Sequence, residues 1–415
     1  MRSRRLADAL LVLVLVAAAI PATLGPGTSH PRAAVAVLRA SPSATASPAP
    51  AAPIDSPPPS LPLDLAVGQM MAASFGGPAI TDGLRHLILD EKVGTVLVFG
   101  DNFSDAASLT RLTAELQALG RQAGLPAPLL VTLDQEGGRV MRVTDGVPPL
   151  PSEQALGSEG PQAVHDAMAA TAEGLHRQGV ELDLAPVADL RTNPADGVIG
   201  DRSYGGDAAV VGPLVAAAVG GLHDGGAAAT LKHFPGLGGA AGDPHAAIPT
   251  DGESLDQWAA TQARSFQAGI DAGADAVMTT AVIVPGLDST GTPARFSHTV
   301  VTGLLRDRLL LQGVIGTDGL GMGGITTLYN LPDATVAAVR AGNDLVLLNS
   351  ADAGYQAAAI EAVKQQVRNG SIGTDQVQAS AARVIAMRAR WPVWAPSLID
   401  VSAAPPAFAL AEDRR

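Results

Sequence analysis

From Met71 onward one unit recurs eight times: a short apolar run closing on glycine or polar residues, then a stretch with helical spacing. The runs cover residues 71–75, 93–99, 129–133, 180–184, 227–231, 276–280, 314–317 and 345–348. Continuous apolar strands alternating with helices belong to a parallel sheet covered on both faces. Eight such units predict an α/β chain folded as a closed parallel (β/α)8 barrel of the TIM type. An open doubly wound sheet is the competing architecture.

The helical stretches carry their own signals. Leu109, Leu112, Leu116 and Leu119 fall at spacings of three and four, and Val336, Val339 and Ala341 follow Asn330 and Pro332, a helix entrance. Residues 357–367 and 377–387 are read as helices that complete the outer ring. The chain of 415 residues is long enough for two or three domains, yet barrels of roughly 250 residues or more fold as one unit. Residues 61–394 are therefore taken as one barrel domain.

Both ends differ from this middle. Basic Met1-Arg2-Ser3-Arg4-Arg5 precedes an apolar run from Ala9 to Ile20, the order of an export signal, and extension through Leu24 would bring an uncleaved membrane anchor within reach. Residues 26–60 are Ala, Pro and Ser with few large apolar side chains, so they cannot offset their ordering entropy and read as a disordered tether. Residues 395–415 read as a frayed tail. The expected location is secreted or in the cell envelope.

Charge and composition exclude several classes. With 27 Lys and Arg against 40 Asp and Glu, the formal charge is −13, which offers no basic surface for nucleic-acid phosphates. The absence of cysteine removes disulfides, thiolate metal sites and a cysteine nucleophile. No metal-ligand spacing surrounds His233 or His245 and no nucleotide motif follows any strand, so no metal and no cofactor is expected. The chain is read as a monomer.

In a parallel barrel, reactive groups gather where the strands end, because the βα loops converge there. The third run is followed by Asp134, Glu136, Arg139 and Arg142, and the fourth by Asp189 and then Asp201-Arg202-Ser203-Tyr204. Lys232 and His233 follow the fifth run, and Asp318 follows the seventh. Charges set against apolar strands cost free energy unless they are paired or used, so their clustering points to a site.

The motifs Leu133-Asp134-Gln135-Glu136-Gly137-Gly138-Arg139-Val140, Ala185-Pro186-Val187-Ala188-Asp189, Ile199-Gly200-Asp201-Arg202-Ser203-Tyr204, Lys232-His233-Phe234-Pro235-Gly236 with Asp243-Pro244-His245, and Thr317-Asp318-Gly319-Leu320-Gly321-Met322 occur in this order. Together they make the chain resemble glycoside hydrolase family 3, in its single-domain β-N-acetylglucosaminidase branch, over nearly all of residues 61–391. The resemblance implies a retaining β-N-acetylhexosaminidase with Asp318 as nucleophile, His245 as acid/base and Asp243 orienting the imidazole. It also implies that Asp134, Arg142, Arg202, Lys232 and His233 hydrogen-bond the terminal sugar. The partner is then a carbohydrate, and for an exported enzyme it is a peptidoglycan fragment. Two positions depart from the family pattern: Leu237 replaces a second histidine of the lysine-histidine motif, and Ala281 stands where many members carry histidine.

Each residue also has a plainer reading. Asp318 is the type of residue that caps a following helix, His245 the type found on any Gly/Ala-rich surface loop, and Asp134 with Arg202 would make a buried ion pair between loops. A Schiff-base role for Lys232 is a further alternative. At the level of function, the alternatives are a β-glucosidase or glycoside phosphorylase of the same family, or an inactive glycan-binding envelope protein. The family's β-glucosidases usually take their acid from a second domain, which residues beyond 394 are not expected to form.

Overall fold

The computed structural model describes residues 60–194, 198–240, 242, 246–391 and 393. The expected signal or anchor of residues 1–25, nearly all of the expected tether, the expected tail of residues 395–415, and both Asp243 and His245 lie outside the described residues.

All eight apolar runs form parallel strands: β1 (Met71–Ala73), β2 (Thr95–Leu97), β3 (Leu130–Leu133), β4 (Leu182–Asp183), β5 (Ala228–Phe234), β6 (Ala276–Thr279), β7 (Val314–Thr317) and β8 (Val346–Leu347). Their order is β8-β1-β2-β3-β4-β5-β6-β7. A parallel bridge from Gly316 to Leu345 and a bond from the Thr317 N–H to the Leu345 carbonyl at 2.9 Å join the two ends. The sheet is thus a TIM-type barrel, and the open sheet does not occur. One strand outruns its predicted extent: β5 continues through Lys232, His233 and Phe234, with a register irregularity between Leu231 and Phe234.

Side chains alternate along each strand, and the alternation sorts two cores. Ala72, Leu97, Leu130, Leu182, Ala228, Ala276, Met278, Val314 and Leu347 fill the barrel interior. Residues of opposite parity, such as Val96, Val131 and Val346, face the helices. Leu109, Leu112, Leu116 and Leu119 of the helix Ala106–Gln122 are all buried, as their spacing requires. Asn330 caps the helix Leu331–Ala341 by accepting the Asp333 N–H at 2.8 Å. The two predicted C-terminal helices are Ala353–Arg368 and Thr374–Arg390.

The last helix also closes the barrel floor: its Val384 and Met387, with Trp391, belong to the interior cluster. The same parity continued past the opposite ends of the strands carries Asp134 beyond Leu130 and Thr132, Thr280 beyond Met278, and Asp318 beyond Gly316. The interior is therefore closed at the floor by apolar side chains, and Asp134 and Asp318 stand at the mouth.

Candidate active site

The loop after β3 is a small hairpin, Gln135–Gly137 against Val140–Met141. Gly137 and Gly138 turn it at φ of 98° and 54°, a conformation side chains resist. A Cβ on Gly137 would lie 2.2 Å from the Pro151 carbonyl oxygen, so only glycine fits there. The turn returns the chain so that Arg142 meets Asp134, with Arg142 Nη2 3.4 Å from Asp134 Oδ2.

Glu136, on the same hairpin, is almost completely buried and is the centre of the charge network. Arg202 donates to both its oxygens, from Nε at 2.6 Å and Nη2 at 2.8 Å. Lys232 Nζ lies 2.6 Å from Glu136 Oε1 and 2.7 Å from Asp134 Oδ1. Burial acts to raise the Glu136 carboxyl, but Lys232 and Arg202 outweigh it and hold the group down at about 2. Burial likewise acts to lower Lys232, and Asp134 and Glu136 overcome it, so its ammonium is held above its ordinary value. An ammonium paired with two carboxylates at these distances is not set up as the neutral amine that a Schiff base requires.

Asp189, fully buried after β4, shapes the lysine-histidine segment. One of its oxygens accepts the His233 backbone N–H at 3.0 Å and faces His233 Nδ1 at 2.7 Å; the other accepts the Leu237 N–H at 2.7 Å. Arg202 Nη2 lies 3.2 Å from His233 Nε2. Because arginine can only donate, Nε2 must accept, and the proton sits on Nδ1 facing Asp189.

Asp318 follows β7, its backbone fixed by a bond from its N–H to the Thr279 carbonyl at 2.8 Å. The Gly319 N–H donates to Oδ1 at 2.7 Å and the Thr280 hydroxyl to Oδ2 at 3.3 Å. Arg295 Nη2, on a fully buried side chain, is 3.5 Å from Oδ2. Burial acts to raise the Asp318 carboxyl; Arg295 first, then the Gly319 N–H and Lys232, outweigh it and keep it below its ordinary value. The side chain retains 23% of its surface, so the ionised oxygens are open to the barrel mouth.

The fold thus brings Asp134, Arg142, Arg202, Lys232 and His233 into one contiguous network, and the charge of Lys232 reaches Asp318. The alternative reading that pairs Asp134 with Arg202 is not found: Arg202 pairs with Glu136, while Asp134 holds Lys232 and Arg142. Leu237 and Ala281 are both buried, Leu237 packing in the apolar core beside Leu190 and Trp258.

Sequence reasoning assigned no role to Glu136 or Asp189, although both stand in quoted motifs. Their burial against cations would have been the signal. Arg295 was missed altogether, since it lies in no motif and reaches Asp318 only through folding.

A family model, the glycosyl hydrolase family 3 N-terminal domain, matches residues 62–387. A β-hexosaminidase of Methylobacillus flagellatus is 36% identical over 291 residues, 68% of this chain and 81% of that protein. One from Stenotrophomonas maltophilia is 36% identical over 287 residues, 67% of this chain and 83% of that one. Among solved structures, a glycoside hydrolase family 3 β-N-acetylglucosaminidase from Paenibacillus sp. str. FPU-7 is similar with TM-score 0.79 and 37% identity over 83% of this chain. This chain spans 65% of the length of that Paenibacillus protein. A β-N-acetylhexosaminidase from Beutenbergia cavernae has TM-score 0.74 and 30% identity, covering 79% of this chain and 98% of its own.

Proposed function

The chain belongs to glycosyl hydrolase family 3, and from that premise we propose that it is a retaining, exo-acting β-N-acetylhexosaminidase that opens β-glycosides through a covalent intermediate on Asp318. The observation that carries this reading is the state of Asp318: an ionised carboxylate, open to the barrel mouth and held by Arg295 and the Gly319 N–H. Such a group can attack an oxocarbenium-like anomeric carbon and offset its charge.

In the first step an Asp318 oxygen bonds the anomeric carbon as that carbon's bond to the leaving oxygen breaks, and the leaving group takes a proton. Water then opens the ester, and the two inversions give retention. Around the sugar, Asp134 accepts hydroxyl hydrogen bonds and Arg142, Arg202 and Lys232 donate them. His233 offers Nε2, which already accepts from Arg202. Their mutual ion pairs lock the rotamers before substrate arrives, which limits the ordering cost of binding. The acid/base is assigned to His245, oriented by Asp243, on the strength of the sequence motif.

The export pattern at residues 1–24 supports an extracytoplasmic enzyme whose substrate is a peptidoglycan fragment, with N-acetylglucosamine released from the non-reducing end. A panel of aryl β-glycosides tests the specificity, with hydrolysis of the β-N-acetylglucosaminide expected to dominate. Activity on β-glucoside alone would overturn it. Asp318→Asn keeps the shape and removes the charge, so turnover is expected to fall by about three orders of magnitude or more while sugar binding survives. For the dyad, His245→Ala is expected to slow substrates with poor leaving groups far more than activated aryl glycosides, and Asp243→Asn to act the same way more mildly. Equal small losses on all substrates would place the acid/base elsewhere.

A further inference from the structure

Arg295 sits on the single turn Ala294–Phe296, between β6 and the helix that precedes β7. It is built into place from several sides. Its N–H donates to the Thr280 carbonyl at 3.2 Å, and its carbonyl accepts from Asn343 Nδ2 at 2.9 Å. Nη1 donates to the carbonyl oxygens of Asp318 at 3.3 Å and Gly319 at 3.2 Å. The side chain has no solvent exposure, Nε has no hydrogen-bond partner, and the carboxylate it meets is that of Asp318.

We infer that Arg295 is a positioning residue for the second half of the reaction: its buried guanidinium disfavours the neutral glycosyl ester on Asp318 and so speeds hydrolysis of that ester. The inference rests on the reading of Asp318 as nucleophile. When the ester forms, the carboxylate's charge is consumed and the cation loses its compensating anion, which is costly for a guanidinium with no solvent exposure. In the second step a water oxygen bonds the anomeric carbon and the carbon's bond to Asp318 breaks. The electron pair returns to the carboxylate, and the water's proton passes to the general base. As negative charge regrows on Asp318, the pairing with Arg295 is recovered, so the transition state of this step is favoured over the ester. The same pairing makes Asp318 less basic and therefore a better leaving group.

The groups that face Asp318 besides Arg295 are His233, Lys232, the Thr280 hydroxyl and the Gly319 N–H. They remain when Arg295 is replaced, so the acid limb of the pH profile should rise without disappearing. Burial lowers the Arg295 guanidinium to about 10, partly offset by Asp318, so it stays protonated at neutral pH.

The test uses the full chain and two variants, Arg295→Met, which fills the space without charge, and Arg295→Lys, which keeps the charge but not the fork. Each protein is labelled with a mechanism-based fluorinated N-acetylglucosaminide. Excess reagent is then removed, recovery of activity is timed, and the adduct is mapped by mass. R295M is expected to reactivate about tenfold more slowly or worse, with the acid limb of kcat/KM raised by about one pH unit, and R295K to reactivate within about threefold of the unmodified protein. Reactivation of R295M at the original rate, with an unmoved acid limb, would overturn the inference. So would an R295K as slow as R295M. If R295M does not fold, R295K decides alone: recovery within about threefold supports the role of charge, and a tenfold loss with the charge in place rejects it. A label mapping to a residue other than Asp318 would instead bring down the nucleophile assignment. A label on Asp318 with no difference among the proteins removes only the role of Arg295.

Discussion

Glu136 shows how much one buried carboxylate can carry. It serves two cations at once, Arg202 through both oxygens and Lys232 through one, and none of the three side chains is substantially exposed. Breaking such a buried group from one side leaves charge uncompensated, at a typical cost of ~3–5 kcal/mol, whereas exposed pairs on a helix such as Glu173 with Arg177 contribute a few tenths. Glu136→Gln is therefore expected to lower unfolding stability by about that larger amount. Because both released cations lie at proposed sugar-binding positions, KM should rise by more than kcat falls. Denaturant unfolding and steady-state kinetics on an aryl glycoside check the two halves. Unchanged KM would mean that the network is structural only.

The element that most departs from a repeating βα unit is the C-terminal helix, Thr374–Arg390, which supplies the barrel floor. Trp391, at its end, donates from Nε1 to Asp275 Oδ1 at 2.9 Å and packs against His223 with ring centroids 5.0 Å apart. Asp275 is itself held by the Ala229 N–H at 3.0 Å and His223 Nε2 at 2.8 Å. Arg388 adds bonds from Nε to the Pro128 carbonyl at 2.8 Å and from Nη2 to the Ala127 carbonyl at 2.6 Å. These contacts lie before the strands, at the opposite end from Asp318, where side chains act on stability and not on chemistry. Trp391→Ala is expected to cost ~3–5 kcal/mol. The midpoint of thermal unfolding should fall while kcat/KM at low temperature stays near its original value. A large loss of kcat/KM in the folded variant would show that floor and mouth are coupled.

At the scale of the molecule, two sets of acids among the described residues have opposite pH responses. Burial raises Glu153, Glu181 and Asp183 well above the ordinary carboxylate range, and each has one oxygen without a hydrogen-bond partner. Their contribution to stability is present below the ordinary carboxylate values and is lost as pH rises through the raised ones. Glu136 and Asp318, whose values are lowered, contribute above the ordinary range and lose that contribution on acidification. The unfolding midpoint should therefore rise as pH falls from the alkaline side toward the ordinary carboxylate range and drop again below that range. Calorimetric scans from alkaline to acid pH test it, and a midpoint that climbs steadily toward alkaline pH would contradict it. A separate expectation concerns the N-terminus: deleting residues 1–60 should leave a folded, active barrel, since residues 1–25 read as an export signal or anchor and residues 26–60 have too little apolar surface to join a core. Loss of the folded state on truncation would move the boundary.

The sequence by itself determined a parallel sheet covered by helices, because eight continuous apolar runs can be covered on both faces only by the helices between them, and the structure decided that this sheet closes into a barrel through Gly316 and Leu345. It also placed Asp134, Lys232, His233 and Asp318 at strand ends, with Arg142 and Arg202 in the loops that follow, while the roles proposed for them rest on the resemblance to the family. Tertiary structure alone decided which charge meets which. Arg202 chooses Glu136 and not Asp134, and Arg295 reaches Asp318 from a turn that carries no motif. Those choices depend on burial and on distances of a few ångströms between segments far apart in the chain, and one-dimensional spacing does not encode them.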